Sequence, residues 1–507
     1  MPPEPIPRHF RPSSAFPAFE CYAGRPMVLN WLDYAVIAGY VLALTAFGTY
    51  FARFQRSSKD YFLTGHSVPW WAICFTIVAT ETSTITFIGV PAAAYTGNMA
   101  FLQLPIGYVI GRVIVSALFL PAYFRGDLMT SYQLLEWRFG PLVRSAGAAI
   151  FLVTRSLADG IRLFTTALVI AVVTGIPVPW TVVLLGTAMI VYTMYGGSAA
   201  VIWTDVVQMF VYLAGALIIF FALLNGIEGG WGAVVAAGSA AGKFHVFEFG
   251  LDFTKVYTFW AGLVGGVALT LATHGTDQFL VQRLLSAPSA RDAGRGLMLS
   301  GVLVLLQFGL FLIIGVMLFT YYQQVPAPVL GRPDEILPRF VINTLPSGVA
   351  GFIIAAIVAA ALSPSINAMA ATTVNDFYLR YVNETADEQT IMRVSYRATL
   401  LWGLVQLVVA LACQWMDRSV LDAGLSILSL TAGPVLGAFL VGFATTRVSA
   451  AAMLAGMCVG LAVLVYIFMA TPVAWTWYAF IGSSVTALAA LAFSAVMPAP
   501  SPRAHAG

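Results

Sequence analysis

Arg155, Asp159 and Arg162 interrupt an apolar run at spacing i, i+4, i+7, which puts all three on one face of a helix. Glu81 stands in a second apolar run, VATETSTITFIGVP (Val78–Pro91), and Asp205 in a third. Ionisable groups inside such runs are costly and face a cavity or a partner. A carboxylate there can hold a cation or a proton, and a guanidinium fork fits a carboxylate through paired N–H···O bonds. Asp159 neutralises one arginine and leaves the other for a carboxylate-bearing ligand. The competing reading is an internal ion network in which the arginines pair with Glu81 or Asp277. No nucleophile–base pair or metal cluster accompanies these groups. Cys21, Cys74, Cys413 and Cys458 lie far apart with no CxxC, and the five histidines are scattered. An enzyme, a zinc site and a disulfide framework are therefore not expected.

The elements that position these residues must be membrane spans. The chain is 60 % hydrophobic and 9 % charged, with a mean hydropathy of +0.86, whereas globular domains carry roughly 25 % charged residues. A bilayer needs about 20 mostly apolar residues per helix. By that measure about 13 spans are expected, near 30–52, 70–95, 101–123, 144–175, 180–196, 199–225, 255–274, 296–321, 347–371, 396–416, 420–445, 448–470 and 474–496. The fourth reads as one long tilted helix. No hydrophilic stretch leaves room for an appended soluble domain, and the net charge of +3 reflects loop arginines rather than nucleic-acid binding. The Pro-rich residues 1–29 read as a disordered tail outside the membrane, unless the true start is Met27.

Basic residues in alternate connections set orientation. Arg53, Arg56 and Lys59, then Arg125 and Arg138, then Arg283, Arg291 and Arg295, then Arg380, Arg393 and Arg397, then Arg447 all fall on one side of an odd span count. That side is cytoplasmic, so the N-terminus lies outside and the tail 497–507 inside a plasma (inner) membrane. The second span (Val78–Pro91) and the ninth, AAALSPSINAMAATTVNDF (Ala359–Phe377), are interrupted by polar residues, Gly or Pro near mid-bilayer. Non-helical backbone at that depth survives only where protein or a water-filled cavity covers it. Breaks in corresponding positions of two halves point to a binding site at the midplane.

Five segments in order resemble the sodium:solute symporter family: DYFLTGHSVPWW (Asp60–Trp71), YGGSAAVIWTDVVQ (Tyr195–Gln208), THGTDQFLVQR (Thr273–Arg283), INAMAATTVNDFY (Ile366–Tyr378) and TAGPVLGAFLVGF (Thr431–Phe443). The resemblance implies an all-α polytopic protein with a LeuT-type core of two inverted five-helix repeats, 70–225 and 255–445. One leading helix (30–52) and two trailing helices (448–496) flank that core. It implies a secondary active transporter that couples a small organic solute to Na+ by alternating access, with no cofactor and no obligate protein partner.

Carried over residue by residue, the resemblance puts cation-binding carbonyls at Ala79, Thr82 and Ile357. Sodium prefers oxygen ligands, as other hard cations do. The family's paired hydroxyl residues fall on Ala360 and Ala361, which offer no side-chain oxygen. Two readings stay open: the register slips and Ser363 takes the role, or Glu81 supplies a carboxylate for Na+ or a proton. An uncoupled facilitator of the same fold is a further alternative. A second cation site would use Ser83, Asp205 and Ser363, although a helix-end carboxylate near the cytoplasmic surface is the plainer reading of Asp205. The family's sugar-gripping positions hold Thr86, Thr270 and Ser426, and the aromatic gate position holds Thr273. Small hydroxyls argue against a sugar. Arg155 and Arg162 suggest a carboxylated solute such as an organic acid, an amino acid or a sialic-acid-like molecule.

Overall fold

A computed structural model describes residues 29–54, 57–126, 128–328, 330, 332–359, 365–415 and 420–497. The expectations for the N-terminal tail, Met27, Ala360, Ala361 and Ser363 lie outside these residues, as does the side chain of Ser426. The described chain is helical throughout, without strands.

The leading helix α1 (Trp31–Tyr50) starts at a capping box, in which the Asn30 side chain accepts from Leu32 N while Asp33 accepts from Asn30 N. Next come α2 (Trp70–Glu81), α3 (Thr84–Thr96) and α4 (Met99–Tyr123). The charged run lies on α5 (Pro141–Thr174), one uninterrupted helix of 34 residues. The expected spans 180–196 and 199–225 form a single helix, α6 (Val178–Gly226), bent at Gly197, where φ is 58°. A Cβ there would stand 2.7 Å from the Tyr61 carbonyl oxygen, so both the left-handed backbone and the close approach require glycine.

The second half contains α7 (Ala261–Gly275), α8 (Gln278–Leu285), α9 (Ala290–Gln324), α10 (Val349–Ala359) and α11 (Ile366–Thr372), then α12 (Glu388–Ala412) and α13 (Val420–Ala444). Helices α14 (Ala450–Ala470) and α15 (Tyr478–Val496) close the bundle. Among the described residues, seven helical segments are each long and apolar enough to cross a bilayer alone. The other expected spans are interrupted, short or, in α5, charged.

Helix α9 packs along α2, α3 and α4, while α4 packs on α7. Helices α12 and α13 pack on α5, α1 lies against α6 and α10, and α15 lies against α13 and α14. Small residues make the α4–α7 contact possible. A Cβ on Gly107 would meet the Gly262 carbonyl oxygen at 2.1 Å, and one on Gly111 would meet Thr270 Cβ at 2.6 Å. Such backbone approach replaces the hydrophobic drive that lipid does not supply.

Candidate functional site

Helix α2 ends because the sequence Glu81-Thr82-Ser83-Thr84 offers its own hydroxyls to the backbone. Thr82 leaves helical geometry (φ −85°, ψ 77°), and Ser83 caps α3 by accepting from Thr86 N. The Thr82 hydroxyl lies 2.8 Å from Val78 O and 3.0 Å from Gln307 Oε1 on α9. The Thr84 hydroxyl donates to the Ile357 carbonyl of α10 at 2.9 Å and accepts from the Thr166 hydroxyl of α5 at 2.8 Å. Ile357 therefore meets the first break, as the resemblance implies. Thr84, which the sequence reading passed over, bridges the two. Its position directly after the capping serine was the available signal.

Glu81 closes α2 and turns away to a different set of partners. Its Oε2 pairs with Arg112 of α4, and its Oε1 lies 3.1 Å from His274 Nε2 on α7. Arg112 is fully buried, whereas the Glu81 side chain keeps 14 % of its exposure. Thr86 donates to the Glu81 carbonyl at 3.2 Å, and Thr273 lies 2.9 Å from His274 Nδ1. Thr270 is buried one turn away against Gly111. One polar cluster thus gathers Glu81, Thr86, Thr270 and Thr273 with Arg112 and His274, which the sequence reading did not single out. Arg112 carried a usable signal, an ionisable residue inside an apolar span.

A second break lies where the sequence suggested only a motif. Helix α7 ends at Gly275, Thr276 departs from helical geometry, and Asp277 caps α8 by accepting from Phe279 N at 2.9 Å. Asp277 Oδ2 also accepts from Arg155 Nη2 at 2.8 Å. Arg155 Nη1 lies 3.4 Å from Asp159 Oδ1, and Arg162 Nε lies 4.0 Å from the same oxygen. Arg155 of α5 therefore pairs with Asp277, while the Glu81 carboxylate faces Arg112 and His274. The break expected in the ninth span, between α10 and α11, falls on residues 360–364, outside those described.

Asp205 is not a helix-end carboxylate. It is fully buried within α6, where Oδ2 accepts from Arg283 Nη2 at 2.9 Å and from the Thr76 hydroxyl at 2.6 Å. Arg283 also donates to Thr76 Oγ1 and to Phe279 O, and its guanidinium lies 4.2 Å from the centre of the Phe279 ring. Ser83 is engaged with Thr86 instead, its hydroxyl 3.2 Å from that of Thr86. Asp205 and Ser83 therefore hold different partners.

A buried polar core built at helix breaks inside an apolar bundle is the arrangement that secondary transporters use around a midplane site. The bundle superposes on a structure described as the substrate-bound outward-open state of a Na+-coupled sialic acid symporter. The TM-score is 0.86 at 28 % identity, over 93 % of this chain and 99 % of that one. The nucleobase-cation-symport-1 transporter Mhp1 shares the fold alone, with a TM-score of 0.56 at 14 % identity, over 86 % of this chain and 94 % of that one. The sodium/sialic acid symporter NanT of Aliivibrio fischeri is 32 % identical over 89 % of this chain and 90 % of its own length. The human sodium/iodide cotransporter is 31 % identical over 87 % of this chain and 70 % of its own. The family model for sodium:solute symporters matches residues 61–460. The chain belongs to the sodium:solute symporter family. It is a multi-pass membrane protein that couples a small solute to sodium, and it is not an enzyme.

The alternative in which Glu81 replaces the sodium-binding hydroxyls is not favoured. Both Glu81 oxygens already face Arg112 and His274.

Proposed function

We propose that this symporter moves a small anionic solute, an organic acid or a halide, with Na+ across the plasma (inner) membrane by alternating access. Its basic loops face the cytoplasm, its N-terminus lies outside, and its C-terminus lies inside. The repeats are 70–225 and 255–445, each opening with a broken helix, α2/α3 in the first and α7/α8 in the second. Inverted-repeat transporters place such breaks in corresponding positions around a midplane site. The observation that carries the reading is the meeting of the two breaks. Glu81, at the end of α2, contacts His274 beside the end of α7.

Sodium takes the junction of α2, α3 and α10, with carbonyl oxygens of Ala79, Thr82 and Ile357. The Thr84 hydroxyl, 2.9 Å from Ile357 O, serves as a further oxygen ligand. Ala360 and Ala361 hold the positions of the family's paired hydroxyls, and Ser363 takes that role. Asp205, Ser83 and Ser363 form a second cation site only if Asp205 releases Arg283. The solute lies beside Thr86, Thr270 and Thr273, and Ser426 is carried over from the resemblance as a further contact. An anionic solute is supported by the solutes named for the relatives, which are sialic acid, monocarboxylates and iodide. Coupling follows when each ligand binds the outward and inward states differently.

Uptake into proteoliposomes tests this reading. An inward Na+ gradient should concentrate sialic acid, pyruvate or iodide, and Thr84→Val should raise the Na+ concentration required. Equal uptake in sodium and in choline media would overturn it.

A further inference from the structure

The ion pairs at the two breaks are unequally satisfied. Arg155 shares its guanidinium between two carboxylates and lies over the Phe279 ring at 4.4 Å, with its Nε buried and without a hydrogen-bond partner among the described residues. Arg112 has one carboxylate, Glu81, and contacts His274 Nε2 at 3.4 Å through the same nitrogen, Nη2. Its Nε and Nη1 are buried without a hydrogen-bond partner among the described residues, as is the nearby Thr270 hydroxyl. A buried guanidinium with unmet donors is costly, because hydrogen bonds to a charged group are stronger than those between neutral groups and their loss is not made up by water. Such a group calls for a ligand rich in acceptors.

Glu81 is a weak permanent partner for it. The carboxylate sits at the C-terminal end of α2, where the helix dipole disfavours negative charge. It is also partly exposed, so the pair is within reach of an entering solute. The surrounding groups, Thr86, Thr270, Thr273 and His274, are small hydroxyls and an imidazole that can serve a second anion.

We propose that Arg112 is the receptor for the negative group of the solute and that Glu81 occupies it as a built-in stand-in until the solute arrives. This rests on the anionic-solute reading above. The entering anion takes the guanidinium donors and Glu81 swings off, which also releases its hold on His274. Solute recognition thereby loosens the contact between the two helix breaks. The solute adds one negative charge to a pair that was neutral, and the co-transported Na+ balances it. This gives an electrostatic reason for the two to bind together. Arg155, already shared by two acids, keeps a structural role.

Binding to the purified protein in nanodiscs decides the matter, with sialic acid, pyruvate and iodide as anionic probes and glucose as the uncharged one. The expected result is Na+-dependent binding of at least one anion and none of glucose. Glu81→Gln removes the competitor and should tighten that anion about tenfold, since a site freed from a competing state recovers its intrinsic affinity. Arg112→Gln should weaken it roughly 100-fold. Na+-dependent thermal stabilisation should persist in both variants, which shows that each is folded. If Arg112→Gln does not fold, Glu81→Gln alone decides. Weaker anion binding in Glu81→Gln, or anion binding unchanged in a folded Arg112→Gln, overturns the proposal. Na+-driven accumulation of glucose without any anion overturns it too and leaves sodium symport intact. Accumulation of none of the four probes in proteoliposomes under an inward Na+ gradient counts instead against the symport reading on which the proposal stands.

Discussion

The two helix breaks solve the same problem with opposite chemistry. Each places an acid where backbone hydrogen bonding lapses, and each calls an arginine from a neighbouring helix. Asp277 stands at the start of α8, accepts a backbone N–H and meets Arg155. Helix dipole, cap and ion pair all favour its charge. Glu81 stands at the end of α2, where the dipole opposes it, and depends on Arg112 and His274. On the proposal above, the second break is a fixed joint and the first is one that the solute releases. A transporter needs both, since a site that binds Na+ must be shaped by something rigid and closed by something that moves.

The largest test of that contrast is Arg155→Gln. It takes the charged partner from Asp277 and leaves Asp159 with Arg162 at 4.0 Å, and breaking a buried pair by removing one partner costs about 3–5 kcal/mol. Loss of folded protein, or a large fall in melting temperature that no solute restores, is the expected outcome. A stable, active Arg155→Gln would show that the second break is not fixed by charge.

Glu81→Gln should be milder. The amide oxygen can still accept from Arg112, but the carboxylate oxygen that meets His274 becomes an amide nitrogen, so the loss is about 1–3 kcal/mol. It should be recovered by an anionic solute but not by glucose, read as a ligand-dependent shift in melting temperature. Irrecoverable loss would make the two breaks alike.

The smallest effect is expected of Thr84→Val, which removes the bridge from the first break to Ile357. One hydrogen bond is worth about 1 kcal/mol, so the Na+ requirement should rise roughly fivefold with the solute KM nearly unchanged. A change confined to the solute KM would place Thr84 on the solute side of the junction.

Much of the fold was legible because lipid imposes a coarse rule, long apolar helices, that hydropathy reads directly. The bend at Gly197 fell between two expected spans, and the charges on α5 were correctly placed on one helix. The break at Thr276–Asp277 was not legible, because the stop is set by a cap and a distant arginine, and TDQ looks like any loop. Arg112 escaped notice because its span was judged by apolar content, and its partner Glu81 is 31 positions away. Asp205 was offered as a cation ligand, with a surface carboxylate as the alternative, and its counter-ion went unseen because Arg283 arrives from α8 and leaves no mark in the local sequence. Pairing across helices is tertiary information, whereas span and cap are local.

Asp33 has a mechanical consequence. From α1, its Oδ1 accepts from Gly348 N at 2.6 Å and from Gly351 N at 2.8 Å. A Cβ on Gly351 would lie 2.6 Å from Asp33 Cα, so the backbones are nearly in contact. The leading helix is thus riveted to the entrance of α10, the helix whose far end carries Ile357. A spin label on the lipid-facing side of α1 would therefore act as the pointer of a gauge, registering displacements of a buried ion junction that no label could enter without spoiling it.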